Sequence, residues 1–178
     1  MLWLVVGLGI ENARAILPFT LGHLFRVREP DFRVPPPTEI RSDYSILSRA
    51  QAGPILEISF AGRYPPGSLG NEHAAYMLEI AERTIRENRP AAVLFNLKSL
   101  NYVWGDAIDA LAHTLYDRDT QAFLPGCVFA TGRTATALSG LFTPGWLFTR
   151  AEMKLFRSHE DSVAYLVQRL KSQSVESE

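Results

Sequence analysis

Residues 91–97 read AAVLFNL, and this run constrains the fold more than any other part of the chain. All but Asn96 are apolar. A strand that is apolar on both sides has to be covered on both faces, as happens to a central strand with helices packed above and below the sheet. The neighbouring segments can supply those layers. Residues 71–88 carry helical spacing, with Ala74, Met77, Leu78, Ala81 and Ile85 on one face. Glu72, Glu79, Glu82, Arg83 and Arg86 lie mostly away from it, and Asn88 and Pro90 punctuate its end. Residues 55–61 (ILEISFA) alternate at period two, placing Ile55, Glu57 and Ser59 opposite Leu56, Ile58 and Phe60. That is the mark of a half-buried strand. Residues 44–47 form a shorter strand candidate, and the turn at residues 51–54, with Gly53, pairs the two as a hairpin.

The alternation continues. Residues 104–116 present Trp104, Ala107, Ile108, Leu111 and Leu115 on one helical face. Residues 127–130 (CVFA) suit a short buried strand, and residues 133–142 a helix stopped by Pro144 and Gly145. Residues 152–156 alternate like an edge strand. Ser158 and Asp161 fit an N-capping pattern ahead of a last helix whose apolar face is Val163, Leu166, Val167 and Leu170. Strands alternating with helices predict an α/β fold: a mixed, mainly parallel sheet with flanking helices, right-handed crossovers and an N-terminal β-hairpin.

With 178 residues, 47% of them hydrophobic, the chain can bury one proper core and leave some chain over. Pro30 and the run Pro35, Pro36, Pro37 favour extended backbone. The expected division is therefore an N-terminal extension and Pro-rich linker over residues 1–38, a domain over 39–171 and a flexible tail over 172–178. The apolar run at residues 2–10 is too short for a spanning helix, which needs about 20 apolar residues. It also lacks the basic leader of a secretory signal. Membrane contact through residues 2–25 is thus the less favoured reading, and a cytoplasmic setting the expected one. A net charge of −1 gives no general pull toward nucleic acid. A single cysteine, Cys127, excludes an internal disulfide and a cysteine-based zinc cluster.

The pieces from Ser42 to Leu170 resemble the STAS family, the sulfate transporter and anti-sigma factor antagonist domains. The similarity lies in the strand exit VLFNLKSLNYV at residues 93–103, then Trp104, Gly105, Asp106 and Ala107 where the family's helix-opening Asp-Ser-Ser-Gly motif stands. It continues in SGLF at residues 139–142 and LFRSHEDSVAYL at residues 155–166. The resemblance implies a protein-interaction module docking a kinase-like anti-sigma factor or a scaffold. In the family's phosphorylated members a serine at the helix opening carries the switch, because the added charge disrupts binding. Here Gly105 occupies that position, Trp104 replaces the preceding Asp, and Asn96 stands where the central strand usually ends in Asp. The phosphoserine switch therefore does not carry over.

Asp106, Asp109 and His113, at i, i+3 and i+7 of the expected second helix, share one face. They read as a solvated, partner-facing patch more readily than as metal ligands, whose motifs are tighter. Tyr102 and Trp104 flank the same turn and suit interface anchors, although Trp104 packing inward on Ile108 and Leu111 is the plainer alternative. The expected partner-binding set is thus Tyr102, Trp104, Gly105, Asp106, Asp109 and His113, with the turn at Gly105 facing outward. Thr131, Gly132, Arg133 and Thr134 lie between a strand and a helix, where free backbone N–H groups and an arginine can hold an anion. They match neither nucleotide-binding fingerprint, and an ordinary threonine-capped turn explains them as well. No cofactor, metal or catalytic set is expected. The alternatives to an interaction module are a small anion- or nucleotide-binding α/β protein or enzyme using this turn, and a membrane-recruited adaptor. Nothing in the sequence fixes the oligomeric state.

Overall fold

The computed structural model describes residues 39–50, 53–105, 107–118 and 121–176. The extension and linker expected over residues 1–38 lie outside the described residues. In chain order the elements are β1 (Ile40–Ala50), β2 (Gly53–Arg63), α1 (Asn71–Asn88), β3 (Ala92–Asn96) and β4 (Leu100–Asn101). There follow a 3-10 helix at Ala107–Leu115, a small hairpin of β5 (Tyr116–Asp117) and β6 (Ala122–Phe123), then β7 (Gly126–Phe129) and α2 (Gly132–Leu138). The chain closes with α3 (Leu147–Arg150), β8 (Lys154–Phe156) and α4 (His159–Glu176).

The main sheet runs β1-β2-β3-β7-β8, with β4 also pairing β2. β1 and β2 are antiparallel, with Tyr44 opposite Ile58, and every other pairing is parallel, with Ser59 opposite Asn96 and Phe129 opposite Phe156. This is the mixed, hairpin-led sheet that the alternation predicts. β3 is central and its Ala92, Val93, Leu94 and Phe95 are fully buried. Leu56, Ile58, Val93, Phe95 and Val128 face the layer that holds Met77 and Ile80 of α1 and Ile108 and Leu111 of the 3-10 helix. Ile55, Leu94, Cys127 and Phe129 face α4 through Leu166 and Leu170.

Four differences from the sequence reading have physical causes. β2 is covered on both faces in its first half, so Glu57 is buried as well as Leu56 and Ile58. Its carboxylate accepts from Asn96 Nδ2 at 2.6 Å and pairs with His159 Nε2 at 3.2 Å, which satisfies both oxygens and ties the start of α4 to the sheet. Second, the expected helix at residues 104–116 is a 3-10 helix beginning only at Ala107. Gly105, with φ +137°, breaks any helix before that point. Third, the helix expected over residues 133–142 divides into α2 and a 3-10 turn at Ser139–Phe142. Fourth, α4 runs on to Glu176, into the expected flexible tail. At its start the Ser158 hydroxyl accepts from the Asp161 N–H at 3.2 Å, the predicted cap.

Candidate functional site

Two loops meet at one end of the molecule. The first, residues 64–70, joins β2 to α1. The second, residues 102–105, leads from β4 to the 3-10 helix. Backbone bonds knit them together: Tyr64 N–H donates to Asn101 O at 3.1 Å, and Gly67 N–H to Trp104 O at 3.2 Å. Beneath them Tyr64 and Tyr102 are buried, their rings edge to face at 5.4 Å. The Tyr102 hydroxyl donates to Gly105 O, fixing the turn from below.

Three large apolar side chains project from this frame. Leu69 is 73% exposed, and Val103 and Trp104 are each 61% exposed. Trp104 lies across Gly67, so close that a Cβ there would stand 2.5 Å from the ring, and Gly67 has φ +61°. Both constraints select glycine. The indole thus rests on bare backbone with most of its surface open, and it does not pack inward.

The six residues expected to bind a partner are separated by the structure. Trp104 and Gly105 stand in the loop, Gly105 half-buried. Asp106 lies outside the described residues. Tyr102 is 2% exposed, so it braces the turn and is no interface anchor. Asp109 is buried too, its carboxylate accepting from the N–H groups of Leu147 and Phe148 at 2.6 and 2.8 Å. It caps α3 and cannot face a partner. The helix type explains why it parts from His113. Four residues at three per turn leave side chains about 120° apart, against about 40° in an α-helix. His113 is therefore exposed while Asp109 points inward. Leu69, Val103 and Gly67 escaped sequence reasoning. The available signal was Leu69 inside a loop otherwise made of Tyr64, Pro65, Pro66, Gly67, Ser68 and Gly70, and Val103 beside Trp104 just ahead of Gly105.

At the suggested anion turn, Gly132 and Arg133 are exposed, but the Thr131 side chain makes no cap bond. Thr134 is buried and its hydroxyl donates to Leu100 O at 2.5 Å, so that group serves to hold β4. Burial pushes the Cys127 thiol well above its ordinary range, which keeps it protonated, and Sγ faces Ser162 O at 3.7 Å. Among the described residues no group of three or more His, Cys, Asp and Glu is placed to hold a metal ion. No described helix is long and apolar enough to cross a membrane.

No family model matches the chain, and no curated protein matches it. Among solved structures it is similar to an anti-sigma factor antagonist from Mycobacterium paratuberculosis, at 15% identity and a TM-score of 0.47. The match covers 71% of this chain and 94% of that one. The likeness is one of fold.

Proposed function

We propose that this domain is a non-enzymatic, regulatory protein-interaction module working in the cytoplasm, and that it docks its partner through Leu69, Val103 and Trp104. The observation that carries this reading is the exposure of those three side chains on two loops held rigidly by backbone bonds and buried tyrosines. Exposed apolar groups on a preorganised frame lose little entropy on binding and gain the full burial term. The resemblance of residues 93–107 to the helix opening of STAS domains suggests the partner's kind, a kinase-like anti-sigma factor or a scaffold. Control differs from the family's phosphorylated members, since Gly105 offers no hydroxyl.

A photo-crosslinking residue placed at Val103 tests this, with one at exposed Arg157 as control. The Val103 position is expected to capture a protein that the Arg157 position does not. Trp104→Ala with Leu69→Ser should weaken that complex about thirtyfold or more, as truncating two interface anchors does. An unchanged complex would remove these side chains from the function.

Gly105→Ser tests the missing switch. Its φ of +137° disfavours any L side chain, and the new Cβ would stand 3.4 Å from Gly67 N. Urea denaturation is expected to show a loss of about 1–3 kcal/mol. A serine accepted at no cost would show that the backbone of this turn does not require glycine.

A further inference from the structure

The second half of α1 borders an open groove of about 880 Å³, reaching across to the end of the 3-10 helix and to β5. Its floor is apolar, formed by Leu78, Ile85 and Leu124. Its rim is cationic: Arg86 and Arg89 stand on the α1 side and Arg118 on the other, with all three exposed. Exposed His113 also lines the groove. Glu82 and Asp117 are the carboxylates in the lining. Among the described residues none of the three guanidinium groups forms a salt bridge.

A cation near a helix C-terminus is favoured by the helix dipole, and that alone would account for Arg86 and Arg89. It does not account for Arg118, which faces them from beyond the helix. Nor does it explain why Arg89 holds the left-handed cap position, with φ +43°, where glycine is the ordinary choice. Tyr116 adds an aromatic surface, 43% exposed and edge to face with Phe123 at 5.2 Å.

We infer that this groove docks an acidic amphipathic segment of a partner protein. Apolar side chains of such a segment would cover Leu78, Ile85 and Leu124, and its carboxylates would meet the three guanidinium groups. Arginine is the side chain best suited to that pairing, because its planar fork can hold both carboxylate oxygens. The site is independent of the Trp104 loops. The turn at residues 67–70 precedes α1 while the groove flanks its far half, and an 18-residue helix is about 27 Å long. The domain would then hold two binding partners, or two parts of one, apart from each other.

Selection from a displayed library of random peptides tests the inference. Enriched sequences are expected to carry net negative charge with apolar residues at helical spacing. Their affinity, read by fluorescence anisotropy, should fall about tenfold or more in an Arg86→Glu/Arg89→Glu/Arg118→Glu variant and fall steeply with added salt. The milder Arg86→Gln/Arg89→Gln/Arg118→Gln variant serves if charge reversal lowers the thermal midpoint. Trp104→Ala should leave the affinity unchanged, and amide shifts on peptide addition should centre on Ile85, Tyr116 and Leu124. The inference is overturned if no acidic consensus emerges, or if the enriched peptides bind the variants as well as the native protein. It is also overturned if phosphatidylserine vesicles, and no acidic peptide, take up the protein through these arginines.

Discussion

Asp109→Ala should cost about 3 kcal/mol of folding stability. The carboxylate is 3% exposed and accepts two short backbone bonds at the start of α3, from Leu147 and Phe148. Removing it leaves two backbone donors without their acceptor, that of Phe148 buried and that of Leu147 part-buried, each costing about 1–3 kcal/mol when cut off from water. Phe148 is fully buried and stacks on Phe142 at 4.9 Å, so the short helix cannot swing out to water without opening the core. For a chain of this size the loss corresponds to a fall in thermal midpoint of about 6–12 °C. Asp109→Asn, which keeps one acceptor oxygen, should fall between. A midpoint unchanged in the alanine variant would mean that α3 finds other partners and that Asp109 is dispensable to the fold.

Gly70→Ala should rank close behind, for a different reason. Gly70 has φ −80°, a conformation that alanine accepts, so the backbone imposes no penalty. The space does: a Cβ there would lie 2.3 Å from Tyr64 Cε1 and 2.6 Å from Pro65 O. Tyr64 is buried and cannot retreat without displacing Tyr102, which holds Gly105. Overpacking of this kind costs about 1–3 kcal/mol, and two rigid obstacles place the substitution at the upper end. The same displacement should loosen the Trp104 loop, so crosslinking from Val103 should drop together with stability. Calorimetry showing an equal or raised midpoint would show that the packing under the loops is slack.

The parts of the fold set by local pattern were legible. The helix at residues 71–88 has the bounds of α1, because Ala74, Met77 and Ala81 mark one face and Arg89 with Pro90 cannot extend it. The central strand was legible because only a two-sided burial accommodates its composition. The 3-10 helix was not, since Ile108, Leu111 and Leu115 carry the three-and-four spacing of an α-helix, and at three residues per turn Leu111 and Leu115 stand about 120° apart, both buried because the helix is covered on more than one side. β4, with two residues, carries no periodicity at all. The surroundings of the expected binding residues were less legible. Trp104 and Gly105 stand in a loop, as their place in the chain suggests, but the exposure of Trp104 depends on Gly67, and the burial of Asp109 on α3. Such long-range contacts leave no trace in the spacing of either segment. A buried aspartate and a solvated one look alike in a sequence, as do a tyrosine that anchors a partner and one that props up a turn.

α4 has a consequence for how the protein is made. Among the described elements it is the one helix packed on its side of the sheet, and Ile55, Leu94, Cys127 and Phe129 depend on Leu166 and Leu170 for cover. During synthesis the hairpin, α1 and the central strand emerge long before those leucines do. A nascent chain therefore carries a half-open sheet, with its greasy underside bare, until residue 170 has cleared the ribosome. A stalled or clipped product ending earlier would keep that underside and invite chaperones or degradation.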